Sequence, residues 1–309
     1  MNPNNKSTSF FTNPLLQLSL SMFIFGTIGI FVRYVPLPSS VLALVRGFVG
    51  SIFVFVFLKL RKSNISKEAI QKNLKMLIFS GIALGVNWIL LFEAYRYTTV
   101  ATATLCYYLA PIFVIIVSPV LLKEHLSVKQ RICVFFALLG MVFVSGVLKT
   151  GVPALSEAKG ILYGLGAAVF YATVILMNKK ITDISAYDKT IMQLGTAAVV
   201  LLPYILLTEP LGALLTLLTP FSVGMLLFVG IVHTGIAYVL YFGSMKDLNA
   251  HTIAIFSYVD PIVAILLSAL FLKEPMGLHG VIGAVLVLGS TFISELPEKE
   301  HGNGGNGNV

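Results

Sequence analysis

Ten apolar runs, each close to twenty residues long, take up most of the chain: about 15–35, 39–60, 74–95, 101–122, 130–148, 160–178, 188–207, 221–243, 250–272 and 277–294. A helix of that length crosses the hydrocarbon core of a bilayer. In lipid each backbone amide needs a partner inside its own segment, and the period-two alternation of barrel strands is missing, so the runs predict helices and exclude a transmembrane barrel. Composition agrees, with 57% of residues hydrophobic, 11% charged and a mean hydropathy of +0.92, far from a soluble domain. The net charge of +8 lies between the runs and forms no basic surface interleaved with aromatics, so nucleic acid is not an expected partner. Cys106 and Cys133 fall inside apolar runs without a CxxC or Cys/His cluster, which points to packing and to neither disulfide nor metal.

The first run is too long for a signal-peptide core and lacks a small-residue cleavage pattern, so it is expected to stay as a span. Connections are expected to be short except from Lys59 to Lys75, with no extramembrane domain, and the Gly/Asn-rich tail cannot form a core. Alternate loops divide the basic residues unequally. Fifteen fall on the side of the termini and five, Arg33, Arg96, Lys149, Lys159 and Lys273, on the other. By the positive-inside rule both termini are expected in the cytoplasm of a multi-pass protein of the cell membrane.

The sequence also contains itself twice. Tyr108 to Glu124 reads YLAPIFVIIVSPVLLKE and Tyr258 to Glu274 reads YVDPIVAILLSALFLKE, so Pro111 returns as Pro261 and Lys123-Glu124 as Lys273-Glu274, 150 positions on. Gly85 and Gly235, Phe92 and Phe242, and Thr102 and Thr252 match at the same shift. Shared apolar composition does not put Pro, Ser, Lys and Glu back in register. Five spans per half is an odd number, so the halves must lie upside down relative to one another, as in many secondary transporters. The expected organisation is a cytoplasmic segment 1–14, a first five-helix repeat 15–150, a second 158–294 and a disordered cytoplasmic tail 295–309.

The 5+5 inverted repeat, the short loops, and a proline in the fourth and ninth spans followed by a terminal Lys-Glu resemble the EamA-type drug/metabolite transporter superfamily. The resemblance covers the whole chain. It implies an all-helical, ten-span transporter with a central substrate cavity lined by both repeats and no resident cofactor. The superfamily includes exporters of amino acids and other metabolites, importers of small solutes and more distant nucleotide-sugar carriers, so the motif identifies the fold more closely than the cargo.

Several residues are candidates for transport. Pro111 and Pro261 each remove a backbone donor and bend their helices at equivalent points, which suits gating or packing. Asp260 lies about halfway along the ninth span, where an ionisable group costs on the order of 3 kcal/mol unless paired or hydrated. Its counterpart in the first repeat is Ala110, so the fold does not require a carboxylate there. Asp260 is a candidate proton carrier, a site for a substrate cation, or one half of a structural pair. Arg46 and Glu93 lie at similar depths and are expected either to pair across the far side as a gate, leaving Arg46 to a substrate carboxylate when the pair opens, or to stay apart with Glu93 on Arg96 at i+3. Arg33 is expected to snorkel, and Glu124 and Glu274 to make ion pairs or meet neighbouring helix ends.

Asn87, Trp88, Tyr107, Tyr108, Gln193, His233, Tyr238 and Tyr258 complete a candidate cavity. Trp88 and Tyr108 stand nearest the charged candidates, and His233 is either a proton shuttle or a hydrogen-bonded packing residue. The glycines fit close helix contact better than phosphate binding, and no GxxxxGK[ST] occurs. The leading reading is a secondary transporter of an amino acid or similar small polar metabolite, with export favoured, working by alternating access with lipid around it and a proton as candidate coupling ion. A carrier of choline-like quaternary amines, held by Trp and Tyr faces, is the variant. A lipid scramblase or channel is the competing class. An enzyme is not expected, since HExxH, GxSG and paired catalytic aspartates are all missing.

Overall fold

The computed structural model describes residues 13–296 apart from 122, 124, 125, 146, 151–154 and 275. The expectations for Glu124, and for the terminal segments before 13 and beyond 296, therefore lie outside the described residues. Among the described residues fifteen α-helices and one π segment follow in order: α1 (Pro14–Tyr34), α2 (Ser39–Leu60), α3 (Lys67–Tyr97), α4 (Val100–Tyr107), α5 (Ala110–Leu121), α6 (Val128–Val144), α7 (Val147–Thr150) and α8 (Leu155–Lys180). Then come α9 (Ala186–Thr208), α10 (Leu211–Leu217), α11 (Pro220–Phe228), the π segment (Val229–Ile236), α12 (Ala237–Ser244), α13 (Ala250–Ser257), α14 (Val259–Phe271) and α15 (Leu278–Glu295). Among the described residues eight helices or continuous helical stretches are long and apolar enough to span a membrane. The 17-residue α6 and the α13–α14 stretch complete ten crossings arranged as two inverted halves of five.

Polar residues at the run boundaries start the helices. Asn13, Ser66, Thr99, Ser127, Ser185, Thr219 and Asn249 each turn a side-chain oxygen toward an amide of the first turn that has no intrahelical partner. Ser66 and Glu68 also correct the loop expected from Lys59 to Lys75, which is helical from Lys67 onward. Apolarity marks the part of α3 inside the bilayer, whereas the cap marks where the helix begins.

The repeat survives as matching geometry. Thr99 and Asn249 cap the fourth and ninth spans, which break at Tyr108-Leu109 and at Tyr258, just before Pro111 and Pro261. Each proline lacks an N–H, so the carbonyls of Tyr107 and Ser257, four residues earlier, lose their helical donor. At the far end Lys123 and Lys273 both adopt a left-handed backbone, with φ of 56° and 53°, a conformation that costs a side-chain-bearing residue about 1 kcal/mol.

That turn at Lys273 directs Glu274 back into the protein. Its carboxylate accepts from the amide of Val100 at 3.0 Å and the hydroxyl of Ser268 at 2.7 Å, and pairs with Arg33, which also donates to the Thr98 carbonyl at 3.1 Å. The terminal Lys-Glu of the second repeat thus ties α1, α14 and the start of α4 together on the face opposite Pro14 and Glu295. Arg33 is held in this tie and does not simply snorkel. On the same face Arg96 donates to the Leu37 carbonyl at 2.8 Å and Ser40 to Glu209 at 3.1 Å.

Candidate functional site

A cavity of about 280 Å³ lies between the two halves. Its walls come from Phe25 on α1, Arg46 on α2, Trp88 and Tyr95 on α3, Tyr107 to Pro111 at the first break, Tyr171 on α8, Tyr238 and Tyr241 on α12, and Ser257 and Asp260 at the second break. Toward the far face its lining residues Ile28, Tyr95 and Thr104 are buried, whereas Glu295, at the end of α15 on the face where α1 begins, is exposed. The cavity therefore opens beside Glu295 and is closed on the far side, behind the tie made by Arg33 and Glu274.

Close helix contact fixes where the carboxylate stands. A Cβ added to Gly26 would fall 2.5 Å from the Asp260 carbonyl, so only glycine lets α1 lie directly on the start of α14. Asp260 occupies the first turn of α14, where amides without helical partners favour negative charge. Its Oδ2 accepts the Tyr108 hydroxyl at 2.8 Å, and that hydroxyl also reaches the Ser257 carbonyl at 3.3 Å, the one Pro261 leaves without a donor.

Arg46 is buried, with its Nε donating to the Thr234 hydroxyl at 2.9 Å and its guanidinium 4.3 Å above the Trp88 ring and 5.8 Å from that of Phe92. Thr234 belongs to the π segment, a helix irregularity that tends to accompany functional sites. Glycines 50 and 230 bring α2 and this segment into contact, Gly50 against Thr234 and Gly230 against Val49. Among the described residues neither Arg46 nor Asp260 makes an ion pair. One cavity thus holds a buried cation and a half-buried carboxylate, each oriented by a hydroxyl group.

Of the sequence candidates, Arg46, Trp88, Tyr107, Tyr108, Pro111, Tyr238 and Asp260 meet on this cavity. Other candidates sit in helix packing. Asn87 donates to the Ala167 carbonyl at 2.6 Å, and Gln193 donates to Ser80 and Asn178 at 2.8 Å each. His233 bonds Thr27 at 2.8 Å, between the rings of Phe31 and Phe228. Pro261 is buried behind the second break, and Tyr258 packs its ring against Tyr108 and Phe292. Glu93 takes Arg96 at 3.4 Å, the i+3 alternative, while Arg46 turns to Thr234. Thr104, Tyr95, Tyr171, Tyr241, Thr234 and Glu295 escaped the sequence reading. Tyrosines within the apolar runs were the available signal for three of them.

The family model described as EamA-like transporter family matches residues 13–146 and 158–296. The chain is 32% identical over 279 residues to the uncharacterized transporter YxxF of Bacillus subtilis (strain 168), covering 88% of this chain and 86% of that protein. It is 27% identical over 276 residues to an uncharacterized transporter of Archaeoglobus fulgidus, covering 89% and 93%, and 25% identical over 223 residues to protein PecM of Dickeya dadantii (strain 3937), covering 71% and 72%. A solved structure titled only as the crystal structure of a protein shares the fold, with a TM-score of 0.62 and 18% identity, covering 91% of this chain and 96% of that one.

Proposed function

We propose that this chain, which belongs to the EamA-like transporter family, carries small zwitterionic metabolites of the amino-acid class out of the cell by alternating access. The observation that carries the reading is the shared cavity of Arg46 and Asp260, in which each charged group is held by a hydroxyl and not by the other. A buried charge without a counter-ion is costly. A substrate carboxylate near Arg46 and an ammonium group near Asp260 would neutralise both at once, while the surrounding tyrosines cover the rest of the molecule. The Trp88 face that a choline-like amine would need already holds the Arg46 guanidinium.

Asp260 is also the proposed proton carrier, because it is the carboxylate at the second break and its partner Tyr108 comes from the first. The surplus of basic residues at the face of the chain ends supports cytoplasmic termini, in which case the cavity described here faces inward. Counterflow in proteoliposomes tests the proposal. Saturable, stereoselective exchange of an amino acid that Arg46→Gln abolishes is the expected result. Exchange confined to quaternary amines, or non-saturable passage of lipid headgroups, would replace the reading.

A further inference from the structure

We infer that Tyr108 and Tyr258 are reciprocal latches, one for each end state of transport, that hold the two broken helices against each other. The inference rests on the alternating-access reading above and adds the residues that set its two states. Both tyrosines stand three positions before the proline of a broken helix, 150 residues apart. Their rings are neighbours, with centroids 6.3 Å apart.

Only one latch is closed. The Tyr108 hydroxyl crosses from the first repeat to the second and shares its one proton between Asp260 at 2.8 Å and, more weakly, the Ser257 carbonyl at 3.3 Å. The Tyr258 hydroxyl is buried and has no hydrogen-bond partner among the described residues. A buried hydroxyl left without a partner is costly and rare in a settled structure. Inverted symmetry supplies its acceptor: the counterpart of the Ser257 carbonyl is that of Tyr107, which Pro111 deprives of its helical donor in the same way.

Inverted repeats reach their second state when each half adopts the conformation the other had in the first. In that state Tyr258 donates to the Tyr107 carbonyl and Tyr108 lets go of Ser257. Asp260 then loses its hydroxyl donor, because the first repeat has Ala110 and no carboxylate at the matching place. The exchange thus links the helix breaks to the partner of the only carboxylate on the two hinges.

Removing one hydroxyl from each latch should therefore shift the same equilibrium in opposite directions. Val100 is buried in the far-face seam, against Gly29 of α1 and bonded through its amide to Glu274, so Val100→Cys reports opening of that face. In a background with Cys106 and Cys133 replaced by alanine, the rate at which a membrane-impermeant thiol reagent modifies Val100→Cys in the purified protein follows the population open to the far side. Tyr108→Phe should raise that rate about 2- to 10-fold and Tyr258→Phe lower it by a similar factor, the range that one hydrogen bond supports. Both variants keep the ring, and their size-exclusion profiles check folding.

Glu274→Gln, which loosens the seam directly, is the control. If it raises the rate while the tyrosine variants shift in the same direction or not at all, the latch inference is overturned and alternating access stands. If Val100→Cys stays unreactive even with Glu274→Gln, the far face does not open, and both readings fall.

Discussion

The fourth and ninth spans share one backbone plan and differ in chemistry. Each has a polar cap, a break before a proline and a left-handed lysine at its end, at Thr99, Tyr108, Pro111 and Lys123 in one and at Asn249, Tyr258, Pro261 and Lys273 in the other. The first places Ala110 at the break and a tyrosine with two acceptors, whereas the second places Asp260 there and a tyrosine with none. The breaks therefore belong to the fold, since both repeats keep them. The carboxylate is not required by that plan, since only one repeat has it, and it is the group we propose meets the substrate.

Removing the carboxylate should have the largest effect. Asp260→Asn is expected to lower the initial rate of counterflow about 100-fold, in line with losing a charge-assisted interaction of about 3 kcal/mol, while Ala110→Ser changes it less than about 2-fold. Equal effects at the two positions would reduce Asp260 to a packing residue. Next come the hinges: Pro111→Ala and Pro261→Ala each restore an N–H to the Tyr107 or Ser257 carbonyl, and turnover should fall about 5- to 10-fold with little change in KM. In Pro261→Ala the new donor also competes with Tyr108 for Ser257. A change in KM with unaltered turnover would assign the breaks to binding and not to motion.

The ends of the two spans give a smaller contrast, read by thermal unfolding in detergent. Ser268 donates to Glu274 at 2.7 Å within the far-face tie, whereas Ser118 donates at 3.1 Å to the Ile115 carbonyl of its own helix. Ser268→Ala should cost about 1 kcal/mol, or about 2–4 °C in Tm, and Ser118→Ala less than half of that. Equal losses would mean that the tie is not specific to the second repeat.

The smallest effect is expected outside both spans, at Lys72 and Asp183, which pair at 2.6 Å while largely exposed. Hydrogen bonding to Lys72 holds the Asp183 carboxyl below its usual range, and the same bond raises Lys72. Asp183's contribution is present above the unfolded carboxylate value and is lost as pH falls through the lowered one. That of Lys72 is present below its unfolded value and lost as pH rises through the raised one. The pair therefore operates between about pH 4 and pH 10. Asp183→Asn should move Tm by less than about 1 °C at pH 7, a baseline against which the hinge effects stand out.

The cavity was only partly legible in the sequence. Asp260 and Arg46 could be singled out because a charge at membrane depth needs a reason, and Trp88 and Tyr108 because they flank those charges. Asn87, Gln193 and His233 carry the same signal, polarity within an apolar run, yet they bond across α3, α8 and α9 or between α1 and the π segment. The π segment left no mark in the pattern, although it places Thr234 under Arg46.

Sequence alone determined the apolar crossings, the inverted pairing of the halves and the two prolines that break equivalent helices. These depend on local or periodic properties: the length an apolar helix needs to cross lipid, the odd number of spans in each repeat, and the donor that proline lacks. Tertiary structure decided which polar groups share a cavity, which face Glu274 and Arg33 close, and which of two equivalent tyrosines finds an acceptor. In a soluble helix the apolar stripe would have announced the inward side, but here lipid and protein interior are equally apolar. Facing is therefore set by contacts between helices far apart in the chain, such as Gly26 on Asp260 and Tyr108 on Ser257.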